Sequence, residues 1–458
     1  VTFELKGMLG RLALGLLCLA CGAPAGEKPS QPNIIFILTD DFGWGDLGCY
    51  GGKLVPTPNL DRMAHEGIRF TQFYVASPIC SPSRVGATTG MFPARWRITS
   101  YLQTRKGNAA CEQVDFLDPA APSLARLLRA AGYATAHFGK WHMGGGRDVT
   151  NAPSIARYGF DEWASTWESP DPYPDLTATN WVWSAHDKVK RWDRTAFFVD
   201  KTLDFLRRHS NQPCYINLWP DDTHTPFVPR PDLAEKYGAT KGRDTEAHFK
   251  AVLEEYDRQI GRLLDGLRQL GLARNTLVLF TGDNGPLPTY QHRRTGGLRG
   301  SKLSLYEGGI RQPLIVWWPG HAPAGRVNPH TVLSALDLLP SLCRLAGATV
   351  PGEVRAQLDG EDLSEAFTGG SPLRTRLLFW EYGRNTNAFA FPRELRDRSP
   401  NVAVREGRWK LLVNADGSSA ELYDLEADPQ ETTNQAAAQP ELTRRLTAAA
   451  LTWRRSLP

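Results

Sequence analysis

The sequence predicts an α/β protein: a large, mostly parallel sheet flanked by helices, followed by a smaller antiparallel sheet near the C-terminal end. Three observations predict it. Asn33–Thr39 and Thr276–Thr281 are continuous apolar runs of strand length without alternation, the pattern of central strands buried on both faces. Between them, short strands are interleaved with segments of helical spacing. From Leu377 onward the texture changes to short strands joined by tight turns, which reads as an antiparallel sheet.

At 458 residues the chain exceeds one ordinary core. Lys+Arg 53 against Asp+Glu 49 leaves a net charge of +4, which argues against a nucleic-acid surface and confines any basic cluster to a pocket. Near the start, Met8-Leu9-Gly10-Arg11 supplies a basic head to the apolar run Leu12 to Ala20, which is too short to span a bilayer. Residues 1–26 therefore read as a signal for export to the periplasm or medium, cleaved after Ala25. Leu19-Ala20-Cys21-Gly22 offers an alternative, a lipoprotein site at which Cys21 would carry a lipid anchor. Of seven cysteines, Cys18 and Cys21 fall in this segment. Cys49, Cys111, Cys214 and Cys343 permit three pairings and their spacing requires none.

In chain order, the Asn33–Thr39 strand ends in Asp40-Asp41, at the edge where open α/β sheets place their ligands. Adjacent carboxylates repel unless a cation lies between them, so the pair predicts a metal. Thr57 to Met63 reads as a capped helix and Gly67 to Tyr74 as a strand. Cys80-Ser81-Pro82-Ser83-Arg84 follows; Pro82 predicts a turn before a helix that begins near Ser83 and stops at Gly90. Cys80 would then face the positive end of a helix dipole, with Arg84 available as an anion ligand.

Ser123 to Ala131 has helical spacing, and the strand Tyr133 to Phe138 ends in Gly139-Lys140-Trp141-His142. Lys140 and His142, two apart on an extended segment, point the same way. Trp163, Trp167, Trp181, Trp183 and Trp192 then gather in a long loop, either as satellite core or as a platform for a sugar ring. A helix from Thr195 to His209 precedes the strand Cys214–Trp219 and the loop carrying His224. The helix Phe249 to Leu270 leads into the second buried strand, which ends in Asp283-Asn284. Three carboxylates plus an amide oxygen, without thiolate or imidazole, select a hard cation, Ca²⁺ before Mg²⁺. Gly300-Ser301-Lys302 does not have the spacing of a nucleotide phosphate loop. Strand Leu314 to Trp318, a helix after Pro340, four short strands and a closing helix Pro440 to Arg455 complete the chain. The expected domains are 30–372 and 373–458.

Five separated motifs, Asp40-Asp41-Phe42-Gly43, Cys80-x-Pro82-x-Arg84, Gly139-Lys140-Trp141-His142, His224 before Thr225-Pro226, and Gly300-Ser301-Lys302 ahead of Glu307-Gly308-Gly309, resemble in order those of the type I sulfatases. The resemblance implies the alkaline phosphatase-like fold and hydrolysis of sulfate monoesters, on sulfated carbohydrates or aryl sulfate esters. It implies that a formylglycine-generating enzyme oxidises Cys80 to formylglycine, whose hydrated aldehyde attacks sulfur. Asp40, Asp41, Asp283, Asn284 and residue 80 would hold the metal, while Arg84, Lys140 and Lys302 surround the sulfate with positive charge. His224 would contact the sulfate; His224 or Lys302 would protonate the leaving alcohol, and His142 would take a proton as sulfate departs. A phosphonate or phosphate monoester hydrolase of the same superfamily is the alternative, followed by a binder of sulfated glycans without turnover.

Overall fold

The computed structural model describes Thr2, residues 31–385 and residues 387–458. The segment 1–26 read as an export signal, with Cys18 and Cys21, lies outside the described residues except for Thr2.

Among the described residues, nine strands form the large sheet: β1 (Asn33–Thr39), β2 (Ile68–Tyr74), β3 (Ala134–Gly139), β4 (Glu162–Ser165), β5 (Cys214–Trp219), β6 (Thr276–Gly282), β7 (Arg311–Trp317), β8 (Arg326–Asn328) and β9 (Leu333–Ser334). Their order is β4-β3-β5-β1-β6-β7-β2-β8, with β9 also beside β2. Pairing is parallel except on the two sides of β7, which runs against β6 and β2. β1 sits centrally with β5 and β6 on its flanks, and its side chains divide by alternation. Ile34, Phe36 and Leu38 enter one core and Ile35 and Ile37 the other, which is why the run is apolar without a break.

The helices Arg194–Arg208 and Glu246–Gln269 cover the second of these cores, within a few residues of the expected spans. Thr245 caps the longer helix by accepting the His248 N–H. The cysteine segment differs from expectation: the helix runs Cys80–Thr89 and begins three residues before Ser83. Pro82 is accommodated because first-turn N–H groups have no intrahelical partner to lose. Gly90, at φ 68°, ends it in the left-handed conformation.

Strands β10 (Leu378–Glu381), β11 (Val402–Glu406), β12 (Trp409–Val413) and β13 (Glu421–Asp424) form the expected antiparallel sheet. Its two faces do different things. Val402, Val404, Leu411, Val413 and Leu422 pack under Leu446 and Ala450 of the Pro440–Arg455 helix, whereas Ala403, Leu412 and Tyr423 belong to the core of the large sheet. Buried Lys410 ties the two segments together, 2.9 Å from both Glu307 and Glu431. Residues 31–458 thus form one compact unit. Within it Cys49, Cys80, Cys111, Cys214 and Cys343 are free, and no helix among the described residues is long and apolar enough to cross a membrane.

Candidate active site

Four neighbouring parallel strands end at one edge of the sheet and deliver most of the site. Asp40 and Asp41 follow β1, Asp283 and Asn284 follow β6, Lys140 and His142 follow β3, and the loop with His224 follows β5. β2 leads into the turn that begins the Cys80 helix, and the loop before β7 supplies Lys302. The positions expected from sequence therefore converge, although they span more than half the chain.

Arg84 is fully buried and organises the floor. Its Nη2 donates to Asp283 Oδ2 at 2.7 Å and lies 3.4 Å from Asp40 Oδ1, while Nη1 donates to the Lys140 carbonyl at 2.9 Å. Lys140 Nζ donates to Asp40 Oδ2 at 2.7 Å. Lys302 Nζ donates to Asp41 Oδ1 at 2.5 Å and to Cys80 Sγ at 3.5 Å. Burial opposes charge on Lys302, but Asp41 and Asp40 more than offset it and hold the amine protonated. Burial pushes the Cys80 thiol up, so the unmodified side chain is a neutral thiol and a poor nucleophile.

Asp40, Asp41, Cys80 and His224 each offer a ligand atom within 4.8 Å of the others. Three buried oxygens there, Asp40 Oδ1, Asp41 Oδ2 and Asn284 Oδ1, lack a hydrogen-bond partner. Buried oxygens in that state fit a cation. Asp283 has both oxygens engaged, Oδ1 by the Asp41 N–H at 3.1 Å and Oδ2 by Arg84. Burial and the charges of Asp40 and Asp41 nevertheless push its carboxyl up to about 7. Three carboxylates thus meet Arg84, Lys140 and Lys302 in one buried pocket, and the three unpartnered oxygens are what remain for a cation.

The two histidines are fixed as opposite tautomers. The Thr225 carbonyl, 2.6 Å from His224 Nδ1, can only accept, so that nitrogen carries the proton and Nε2, 3.7 Å from Asp41 Oδ2, carries the lone pair. The Leu102 carbonyl, 3.0 Å from His142 Nε2, puts the proton on Nε2 instead. Burial pushes the His142 imidazole down to about 3 against the upward pull of Glu168.

Above this floor lies a cavity of about 370 Å³ whose walls include Tyr101, Trp167, Trp181, Pro226, Leu287 and Leu303. Trp181 is 58% exposed, its ring centroid 6.0 Å from that of Trp167. The tryptophan-rich loop therefore has a divided role. Trp163 packs against the core and Trp192 lines a separate small cavity, whereas Trp167 and Trp181 face the site. Sequence reasoning did not find Glu168 or Arg147, which pair at 2.8 Å in the wall. A carboxylate next to a tryptophan in Trp167-Glu168-Ser169-Pro170 was the available signal, and its partners are 21 and 26 residues away or farther in the chain. The stated picture of Lys140 and His142 on an extended segment also needs correction, since His142 has φ 50°, yet both side chains reach Glu168.

A mostly parallel α/β sheet whose carboxyl edge joins an acidic cation site to two lysines and an arginine around one buried cysteine defines an alkaline phosphatase-like hydrolase of anionic esters. Residues 32–348 match the family model described as sulfatase, and residues 301–452 that of the N-sulphoglucosamine sulphohydrolase C-terminal region. The N-acetylgalactosamine-6-sulfatase of Canis lupus familiaris is 35% identical over 396 residues, covering 80% of this chain and 72% of the relative. Arylsulfatase A of Homo sapiens is 33% identical over 451 residues, 90% of this chain and 80% of the relative. The crystal structure of Ps i-CgsB in complex with k-i-k-neocarrahexaose superposes with a TM-score of 0.77 at 26% identity, covering 93% of each chain. The chain belongs to the sulfatase family and is a sulfuric ester hydrolase.

Proposed function

We propose that the protein removes sulfate from sulfated carbohydrates, with residue 80 acting as formylglycine and a calcium ion held by Asp40, Asp41, Asp283 and Asn284. The observation that carries the reading is the convergence of Arg84, Lys140 and Lys302 on buried Cys80 beside three unsatisfied oxygens. Formylglycine would supply the hydroxyls for attack on sulfur, and the cation would neutralise charge on the sulfate oxygens. The carbohydrate part rests on the names of the relatives and on Trp167 and Trp181 in the cavity wall.

The chain's own residues have separable tasks. Arg84 holds Asp283 and the Lys140 carbonyl in place, so the floor is set before substrate arrives. Lys140 and Lys302 would exchange their aspartate partners for sulfate oxygens as the cation takes over the carboxylates. Lys302, protonated and within reach of residue 80, is the acid that fits the leaving alcohol; His224 has its ring proton committed to Thr225. His142, neutral with a free Nδ1, is the base for the release of sulfate.

Export of the chain and maturation by a formylglycine-generating enzyme belong to the same proposal. The test is sulfate release from a panel of sulfated mono- and oligosaccharides alongside matched phosphate esters. Preferential sulfate release supports the proposal, and a preference for phosphate would replace it with the phosphohydrolase reading.

A further inference from the structure

The wall residue Glu168 has no role in the tasks above, yet it is tied to His142 twice. The His142 backbone N–H donates to the Glu168 carbonyl at 3.0 Å, and Glu168 Oε1 lies 3.5 Å from His142 Nε2. The same carboxylate is buried and anchored from its other side: Arg147 Nη2 donates to Oε1 at 2.8 Å, and Lys140 Nζ is 3.6 Å from Oε2. Arg147 in turn lies over the Trp167 ring, 5.2 Å from its centroid. Burial pushes the Glu168 carboxyl up, but Lys140 and Arg147 more than offset it, and it stays ionised.

The opposite edge of the imidazole is bare. With the ring proton on Nε2, Nδ1 carries the lone pair, and it is buried without a hydrogen-bond partner. A buried acceptor in that state is costly, and a base waiting for its proton has this arrangement. Among the charges around the ring, Lys140 and Arg84 disfavour a second proton and Glu168 favours it. Arg147 reaches the ring only through Glu168.

We propose that Glu168 is a positioning residue that acts through His142: beside the Nε2 proton that the Leu102 carbonyl accepts, it places a negative charge next to the imidazolium formed when Nδ1 takes a proton during sulfate release. In that step the N–H bond forms at Nδ1 as a hydroxyl O–H bond breaks. The O–H electron pair would become the second bond of a carbonyl on residue 80 as the C–O bond to sulfate breaks and sulfate leaves with that bond's pair, and the imidazolium then returns its proton to water. The logic is that of a carboxylate behind a histidine base, here with the carboxylate and a backbone carbonyl on the same ring nitrogen. This assignment rests on the sulfatase reading proposed above.

Glu168→Gln keeps the shape and an acceptor oxygen and removes the charge. Turnover of a sulfated sugar should fall on the order of 10- to 100-fold. KM should stay level or fall, because a negative charge has left the neighbourhood of Lys140. In a His142→Ala background the same substitution should cost less than about twofold, since its route of action is gone. Equal losses in both backgrounds overturn the proposal. A second readout needs no turnover: in protein whose residue 80 is still cysteine, nitrogen-15 spectra of His142 should show the proton on Nε2, and a proton on Nδ1 overturns the proposal. Should Glu168→Gln not fold, Glu168→Asp, charged but shorter, should give an intermediate loss that again vanishes without His142. Wild-type protein that releases no sulfate would sink the hydrolase reading instead, independently of these variants.

Discussion

Removing the cation from the acidic site should make the stability of the fold fall as pH rises toward neutrality. Asp40, Asp41 and Asp283 are all essentially without solvent exposure. Lys140 and Lys302 cover the first two, and those carboxyls are held below the ordinary range despite their burial. Asp283 differs: burial, then Asp40 and Asp41, lift it from 3.8 to about 7 against the pull of Arg84. A carboxyl whose folded pKa is raised binds its proton more tightly when folded, so between about pH 4 and 7 the unfolded chain ionises first and stability declines. At about 1.4 kcal/mol per pH unit the rise to about 7 corresponds to about 4 kcal/mol lost across that window. Calcium bound beside Asp283 should abolish this slope by favouring its ionised form, and at pH 7 its binding should release roughly half a proton from Asp283. Asp222 and Glu431, also pushed up to about 7, ionise in both forms and cancel in the difference. The assay is thermal unfolding from pH 4.5 to 8 with chelator and with saturating Ca²⁺, together with calorimetry in buffers of different ionisation enthalpy. Parallel curves with no proton release would refute the charge accounting, and full turnover by chelated protein would refute the metal assignment.

Cys80→Ala should end multiple turnover yet cost only about 1 kcal/mol in stability, because a single buried sulfur is removed. Mature active protein should show the mass change of cysteine to formylglycine in the peptide carrying residue 80, with activity rising with the modified fraction; sustained turnover by wholly unmodified protein would contradict this. Trp181→Ala should lower kcat/KM about 10-fold on a glycan sulfate and leave a small aryl sulfate nearly unchanged, with an unchanged Tm because the ring is 58% exposed. Equal losses on both substrates would return Trp181 to a packing role. Lys410→Met should destabilise the fold by about 3–5 kcal/mol at pH 8 by stranding Glu307 and Glu431, and by less at pH 5, where Glu431 takes up a proton; chemical denaturation at the two pH values measures the difference.

Much of this protein is determined by sequence because the responsible forces are local or periodic. An apolar run such as Asn33–Thr39 cannot be solvated on either face, so β1 had to be a central strand, and a ligand edge had to follow at Asp40-Asp41. The small antiparallel sheet and the Pro440–Arg455 helix follow equally from alternation and helical spacing. The five motifs identify the chemistry because each carries its functional side chains within a few residues of a strand end or a helix start. Tertiary structure alone decided the rest. β7 reverses direction between β6 and β2, which is set by pairing across the sheet and leaves no mark on a short apolar strand. The helix began at Cys80 because the surrounding fold buries its first turn, overriding the weaker local preference at Pro82. Which of five tryptophans reach the cavity depended on where a long loop folds back. Glu168 stayed hidden for the same reason: its chemistry arises from Lys140, His142 and Arg147 closing on one carboxylate, and the tautomers of His142 and His224 were set by the carbonyls of Leu102 and Thr225 that meet each ring in space.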